Sequence, residues 1–212
     1  MSAYIVNEPE RRSITDLERF VSPFAPEAPY AMIVDAIRDS YRAFSNRTYV
    51  IRREIEIDVY QSVRNYAINV GEDLVITRVL ECYYGEDNTK LSPSTTRIYG
   101  EGKCLYHMPN PYSISIGIVP AEDKERLLKV QVTCKSSESN MAIDEQVYQE
   151  WGEAIGAGAA AYLMGIPGYS FSNETAARRK QLDFERAVRD ANVRWDKARH
   201  GAPLVMKAPR YV

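Results

Sequence analysis

Three stretches of the chain repeat apolar residues at helical spacing, and the long stretch between the first two repeats them at a period of two. The first begins at Pro29, whose fixed φ suits the first position of a helix, and runs to about Asn46. Ile33, Ala36, Ile37, Tyr41 and Phe44 form one stripe, while Asp35, Arg38, Asp39 and Arg42 occupy the other side, which predicts an amphipathic helix with one buried face. The second, Glu145 to Met164, is rich in Ala and Gly and is stopped by Gly165-Ile166-Pro167-Gly168. The third, Asn173 to Arg199, places Ala177, Phe184, Val188, Ala191, Trp195 and Ala198 along one side. A short turn between two helices predicts an antiparallel hairpin. Its expected core combines Ala154, Ile155, Tyr162, Phe184, Val188 and Trp195 with Ile33, Ile37 and Phe44 of the first helix.

Between the helices, Ile55, Ile57 and Val59 alternate with Glu54, Glu56 and Asp58, and Tyr66, Ile68 and Val70 alternate with Asn65, Ala67 and Asn69. Further strands are predicted at Asp73 to Tyr84, Arg97 to Tyr106, Ser113 to Val119 and Leu127 to Lys135. Turn-forming runs such as Gly85-Glu86-Asp87-Asn88 and Pro109-Asn110-Pro111 separate them. The acids of the first strand are expected to be its solvated face rather than a paired-carboxylate site. Before the first helix, Met1 to Arg12 lacks a period and is expected to be a flexible arm. Pro23, Pro26 and Pro29 interrupt regular structure after a short turn at Asp16 to Phe20.

The predicted class is α+β, a helical bundle with an inserted antiparallel β-sheet or small sandwich and an extended C-terminal tail. The expected organisation is an N-terminal arm over 1–28, a helical domain over 29–46 and 145–199, an inserted β domain over 47–144, and a tail over 200–212.

Composition adds exclusions. A net charge of −2, 45% hydrophobic and 26% charged residues are ordinary for a globular chain and give no global reason to bind nucleic acid or membrane. The least polar run, Ala154 to Pro167, is too short and too rich in Ala and Gly to span a bilayer. Three widely spaced cysteines without a CxxC point to a reducing compartment, and two histidines, His107 and His200, do not assemble a zinc set. Fifteen tyrosines against five phenylalanines suit half-wet interfaces or an edge-rich sheet.

Gly156-Ala157-Gly158-Ala159-Ala160-Ala161 matches the GxGxxA form of a dinucleotide-binding fingerprint, but helix-like residues precede it where that motif needs a buried strand. Glycines at 152, 156 and 158 each cost a helix roughly 1 kcal/mol relative to Ala, and close approach of another helix is the expected compensation. Gly152, Gly156, Gly158, Phe184, Val188 and Trp195 are therefore assigned to helix packing. No catalytic residue, cofactor or metal ligand is assigned.

The last helix holds eight basic residues (Arg178, Arg179, Lys180, Arg186, Arg189, Arg194, Lys197, Arg199) against five acidic ones (Glu174, Asp183, Glu185, Asp190, Asp196). His200 to Val212 adds Lys207 and Arg210 without an acid, Pro203 and Pro209 keep it out of helix, and Leu204, Val205, Met206, Tyr211 and Val212 offer apolar surface. A solvated end and a tail that orders on a partner both fit this composition. On the second reading Arg199, Leu204, Val205, Met206, Lys207, Arg210 and Tyr211 are candidate interface residues.

Over roughly Pro23 to Arg199 the chain resembles bacteriophage head-to-tail adaptor proteins, the class that includes tail tubular protein A of short-tailed phages. The resemblance rests on the proline-rich lead-in, the helix Ala31 to Phe44, and the inserted β region. It rests further on the helix around Trp151-Gly152-Glu153-Ala154-Ile155-Gly156, the turn Met164-Gly165-Ile166-Pro167-Gly168, and Phe171-Ser172-Asn173 leading into a helix with Phe184 near its middle. Phe171 stands where family members usually carry Trp. The resemblance implies a non-enzymatic virion protein at the head–tail junction, assembled in the host cytoplasm. It would be a ring oligomer, twelve-fold by analogy, contacting the portal protein and the tail nozzle or tube, with DNA passing through its lumen and no membrane insertion. The alternatives are a nucleotide-dependent enzyme using Gly156 and Gly158, and a cytosolic interaction scaffold.

Overall fold

The structure, a computed structural model, describes residues 3–6, 8–95 and 103–200, with side chains to Lys197. The expected α+β class is observed, with three α-helices, a 3-10 helix and mainly antiparallel sheets among the described residues.

The chain opens with strands β1 (Ala3–Val6) and β2 (Arg11–Ser13) and the 3-10 helix Ile14–Phe20, followed by α1 (Tyr30–Arg47). The β region comprises β3 (Arg52–Val59), β4 (Asn65–Ala67), β5 (Leu74–Tyr84), β6 (Thr89–Lys90), β7 (Ser92–Pro93), β8 (Leu105–Asn110), β9 (Ser113–Ile116) and β10 (Lys124–Ser136). A short β11 (Ala142–Asp144) leads directly into α2 (Glu145–Gly165), and α3 (Glu174–His200) closes the described chain.

Strands order as β1-β3-β10-β5-β6 in a five-stranded sheet and β4-β9-β8-β7 in a four-stranded one, with a ribbon of β2 and β11. All pairings are antiparallel except the two-residue β7–β8 pair. Ile55, Ile57, Cys82, Leu128 and Val130 of the larger sheet, and Tyr66, Tyr106, Ile114 and Ile116 of the smaller, are buried in one cluster with the apolar stripes of the helices. The helical and β parts therefore share one core.

The N-terminal segment departs from expectation. Residues 3–6 pair along the outer edge of β3, from Ala3 opposite Ile57 to Val6 opposite Glu54, and Arg11–Ser13 pair with β11. These strands are three or four residues long, too short for a period to show, and backbone pairing rather than an apolar pattern holds them. The 3-10 helix buries Ile14 and Leu17 completely, and Ser13 caps its start by accepting from the Thr15 N–H.

The expected solvated face of β3 is also corrected. Because β3 lies between β1 and β10, Glu54 and Glu56 are half-buried and Asp58 is buried. Asp58 accepts the Arg126 N–H, and Glu56 meets Lys129 on the neighbouring strand at 3.7 Å. The strand predicted from Arg97 runs instead from Leu105 to Asn110, residues 96–102 lying outside the described chain. Tyr162, expected in the core, is 62% exposed, and Ala154 and Trp195 are half-buried.

Candidate functional site

The packing of α2 explains its glycines. A Cβ at Gly156 would lie 2.5 Å from Phe20 Cβ, and one at Gly152 would lie 3.0 Å from Leu17 Cδ2, so both face the 3-10 helix. Gly158 lies between α1 and α3, where a Cβ would collide with Ser40 Oγ and stand 2.7 Å from Phe184 Cδ2. Ser40 Oγ donates to the Ile155 carbonyl at 2.6 Å across this contact. All three glycines lie inside a continuous helix, Gly156 eleven residues past its start, and none stands at a strand end. The phosphate-cradle geometry of a dinucleotide site is not what this segment forms.

Around that contact the aromatic residues converge. Phe44 of α1 is 5.6 Å from Trp151 of α2 and 5.9 Å, edge-on, from Phe184 of α3. Val188 and Ala191 continue the buried side of α3, and the Ile33 and Ile37 side chains lie in the same cluster. The turn between the helices uses Gly168 at φ +88°, a conformation available to glycine. Asn173 Oδ1 then accepts the Ala176 N–H and caps α3. Phe171 is buried and stacks on Tyr169 at 4.9 Å.

A buried polar set joins the helices to the sheet. Arg53 Nη2 donates to Asp144 Oδ1 at 2.7 Å, both side chains being nearly inaccessible, and Arg53 Nη1 donates to the Arg52 carbonyl. Arg53 Nε finds no partner. Tyr41 sits beside this pair, and burial, then the Asp144 charge, holds its phenol proton well above the usual range. Ser45 Oγ accepts the Ser136 N–H, and Asn140 Nδ2 donates to Ser136 Oγ. Burial also pushes the Cys82 and Cys134 thiols up to about 12, which leaves them unreactive. His107 Nδ1 is 3.1 Å from the Ser94 carbonyl.

Sequence reasoning missed a groove at the start of β3. Val50, Arg52, Gln146, Val147, Glu150, Trp151, Ala191, Arg194 and Trp195 line about 200 Å³ of it, and a neighbouring hollow of about 290 Å³ extends past Val50 to Pro9, Arg53 and Asp144. Arg52 stacks on Trp195 at 3.9 Å and Arg194 on Trp151 at 4.8 Å, while Tyr49 also packs against Trp195, with ring centroids 5.7 Å apart. The signal for it was the two tryptophans and the Arg52-Arg53 pair at the start of β3, which becomes legible only once β3, α2 and α3 meet.

Of the candidate interface residues, Arg199 lies in the last turn of α3, its side chain outside the described residues. Leu204, Val205, Met206, Lys207, Arg210 and Tyr211 lie outside them altogether. Among the described residues no group of His, Cys, Asp and Glu is arranged to hold a metal, and no helix is long and apolar enough to cross a membrane.

The fold and groove define a class, an α+β protein whose small-residue helical hairpin shares a core with two mainly antiparallel β-sheets, but not a family. No known protein family and no curated protein matches the chain. Among solved structures it is similar to a chain of "Neck of empty GTA particle computed with C6 symmetry" at 15% identity, covering 85% of this chain and 95% of that one, with a TM-score of 0.29. A likeness at that level transfers neither fold nor function.

Proposed function

We propose that the chain is a structural virion protein, a head-to-tail adaptor that forms a ring between the portal and the tail and lines part of the DNA ejection channel. The observation that carries the reading is the meeting of Phe44, Trp151 and Phe184 beside Gly158. Each comes from a different segment of the resemblance to the adaptor family, and the three form one packing point. A ring of identical subunits needs heterologous contacts, and a rigid three-helix layer carrying a β region beside it supplies two unlike sides. The family analogy makes the ring twelve-fold, bound to portal on one side and to the tail nozzle or tube on the other.

On this reading the protein is not an enzyme and needs no cofactor. Its near-neutral charge suits a conduit that does not grip DNA, since tight binding rests on phosphate neutralisation by Lys and Arg. Arg199, Leu204, Val205, Met206, Lys207, Arg210 and Tyr211 dock on the portal or on the adjacent subunit. The test is native mass measurement of the purified chain alone and mixed with the portal protein of the same particle. A complex with many copies of this chain per portal ring is expected. A chain that stays monomeric with portal present would overturn the proposal.

A further inference from the structure

The two ends of β3 carry opposite chemistry. At its start, the groove and the hollow beside it set three bases, Arg52, Arg53 and Arg194, against two acids, Glu150 and Asp144, among Trp151, Trp195 and Gln146. Arg53 is 4% exposed, and its Nε has no acceptor although the rest of its guanidinium is spent on Asp144 and a carbonyl. A buried N–H left without a partner is destabilising, and an incoming acceptor removes that cost. Arg52 donates Nε to the Tyr49 carbonyl and makes no close ion pair among the described residues; burial lowers its pKa, partly offset by the charge of Glu150, so a further anion beside it relieves a desolvated charge. Arg194 reaches Glu150 only at 3.9 Å.

At the far end of β3, about 23 Å away along an eight-residue strand, two loops meet. Glu86 and Asp87 lie in one and Glu122 and Asp123 in the other, with Glu125 at the start of β10, all exposed, and Lys124 Nζ bridges Glu86 and Glu122 across them. Lys124 and Arg126 are the bases beside these five acids, so the tip keeps a net negative charge.

We infer that the arginine–tryptophan groove of one subunit receives the acidic β tip, Glu86-Asp87 and Glu122 to Glu125, of a second copy of the chain. This inference rests on the ring reading above and names its lateral contact. Groove and tip lie at opposite poles of one strand, so the contact is head-to-tail, and head-to-tail contacts close into rings when the rotation per subunit permits. The tip carboxylates supply an acceptor for Arg53 Nε and closer partners for Arg52 and Arg194, whose guanidinium groups lie over Trp195 and Trp151.

The test is a charge exchange read by sedimentation under the conditions in which the chain forms a ring, alone or on portal. A tip variant, E122K/E125K, and a groove variant, R52E/R194E, are each expected to associate at least about tenfold more weakly than wild type, with the mixture restored by alternation of the two. Because the tip variant changes only exposed side chains, it carries the test even where the groove variant is unstable. A ring that tolerates E122K/E125K, or a folded groove variant whose mixture with it is not restored, overturns the inference. A wild-type chain that forms no ring under any condition overturns the functional reading instead.

Discussion

Adding one methyl group at Gly156 tests the helix-packing account quantitatively. Mid-helix Gly→Ala gains about 1 kcal/mol from propensity, so in an open helix the change is stabilising. Here the new Cβ would stand 2.5 Å from Phe20 Cβ and 3.5 Å from the Phe20 carbonyl carbon. Carbon atoms settle at about 3.5–4.0 Å, so roughly an ångström of separation has to be found. Phe20 Cβ is fixed by its backbone and cannot rotate away. The shift must move the 3-10 helix, which is anchored by the fully buried Ile14 and Leu17. Overpacking of this kind costs about 1–3 kcal/mol.

The control is Gly165→Ala at the end of the same helix, where a Cβ meets nothing within 4 Å. Gly165 ends the helix and gains less from propensity than an interior site, so the prediction rests on sign: overpacking of about 1–3 kcal/mol should leave Gly156→Ala less stable than Gly165→Ala despite the larger propensity gain at 156. For a chain of this length that is about 2–4 °C of melting temperature per kcal/mol. Urea denaturation followed by tryptophan fluorescence and by circular dichroism checks the difference. A Gly156→Ala protein as stable as Gly165→Ala would refute close approach as the reason for the glycine.

At Gly158, substitution by Leu should impair folding or assembly by about 1–3 kcal/mol without altering any nucleotide affinity, and a stable variant that loses nucleotide binding by calorimetry would revive the cofactor alternative. Arg53→Met leaves Asp144 buried and unpaired and should cost about 3–5 kcal/mol in urea denaturation, whereas replacing both partners by apolar residues should recover much of that. The Arg47 guanidinium holds the Glu185 carboxyl below its usual range, and the Gln149 amide and then Arg12 do so for Glu145. Because both folded-state values are depressed, their stabilisation is present above the unfolded value of about 4.3 and lost as pH falls through the folded values, a slope that Arg47→Ala should flatten in an acid melting series. Deletion after Arg199 should leave the melting temperature unchanged and weaken portal or neighbour binding, and a truncated chain that docks at full affinity would make the tail dispensable.

Helices were legible because their stripes are long: Ile33 to Phe44 and Ala177 to Ala191 are buried where a 3.6-residue period places them. Strand existence was legible wherever alternation lasted, as at Ile55-Ile57-Val59. Exposure was not, because alternation says which residues share a face and not what covers it. Glu54, Glu56 and Asp58 read as solvated until β1 was found lying along their strand. Tyr162 failed for the converse reason: the second half of its helix, from Ala154, is apolar all round, so the pattern there could not say which side faced water. The glycines were legible as close contacts but not their partners, since Phe20 lies in a segment without a period. The groove was illegible because Arg52, Trp151 and Trp195 are distant in sequence and meet only through the register of β3 and the hairpin.

The central claim is that many copies of this chain form a ring at the head–tail junction. Electron microscopy of the purified particle, with the fold described here placed into the density between portal and tail, tests it most directly. The account predicts a closed ring of these subunits around an open lumen, each β tip set in the groove of the next. A particle in which that position is filled by another protein, or in which this chain is absent, would contradict it.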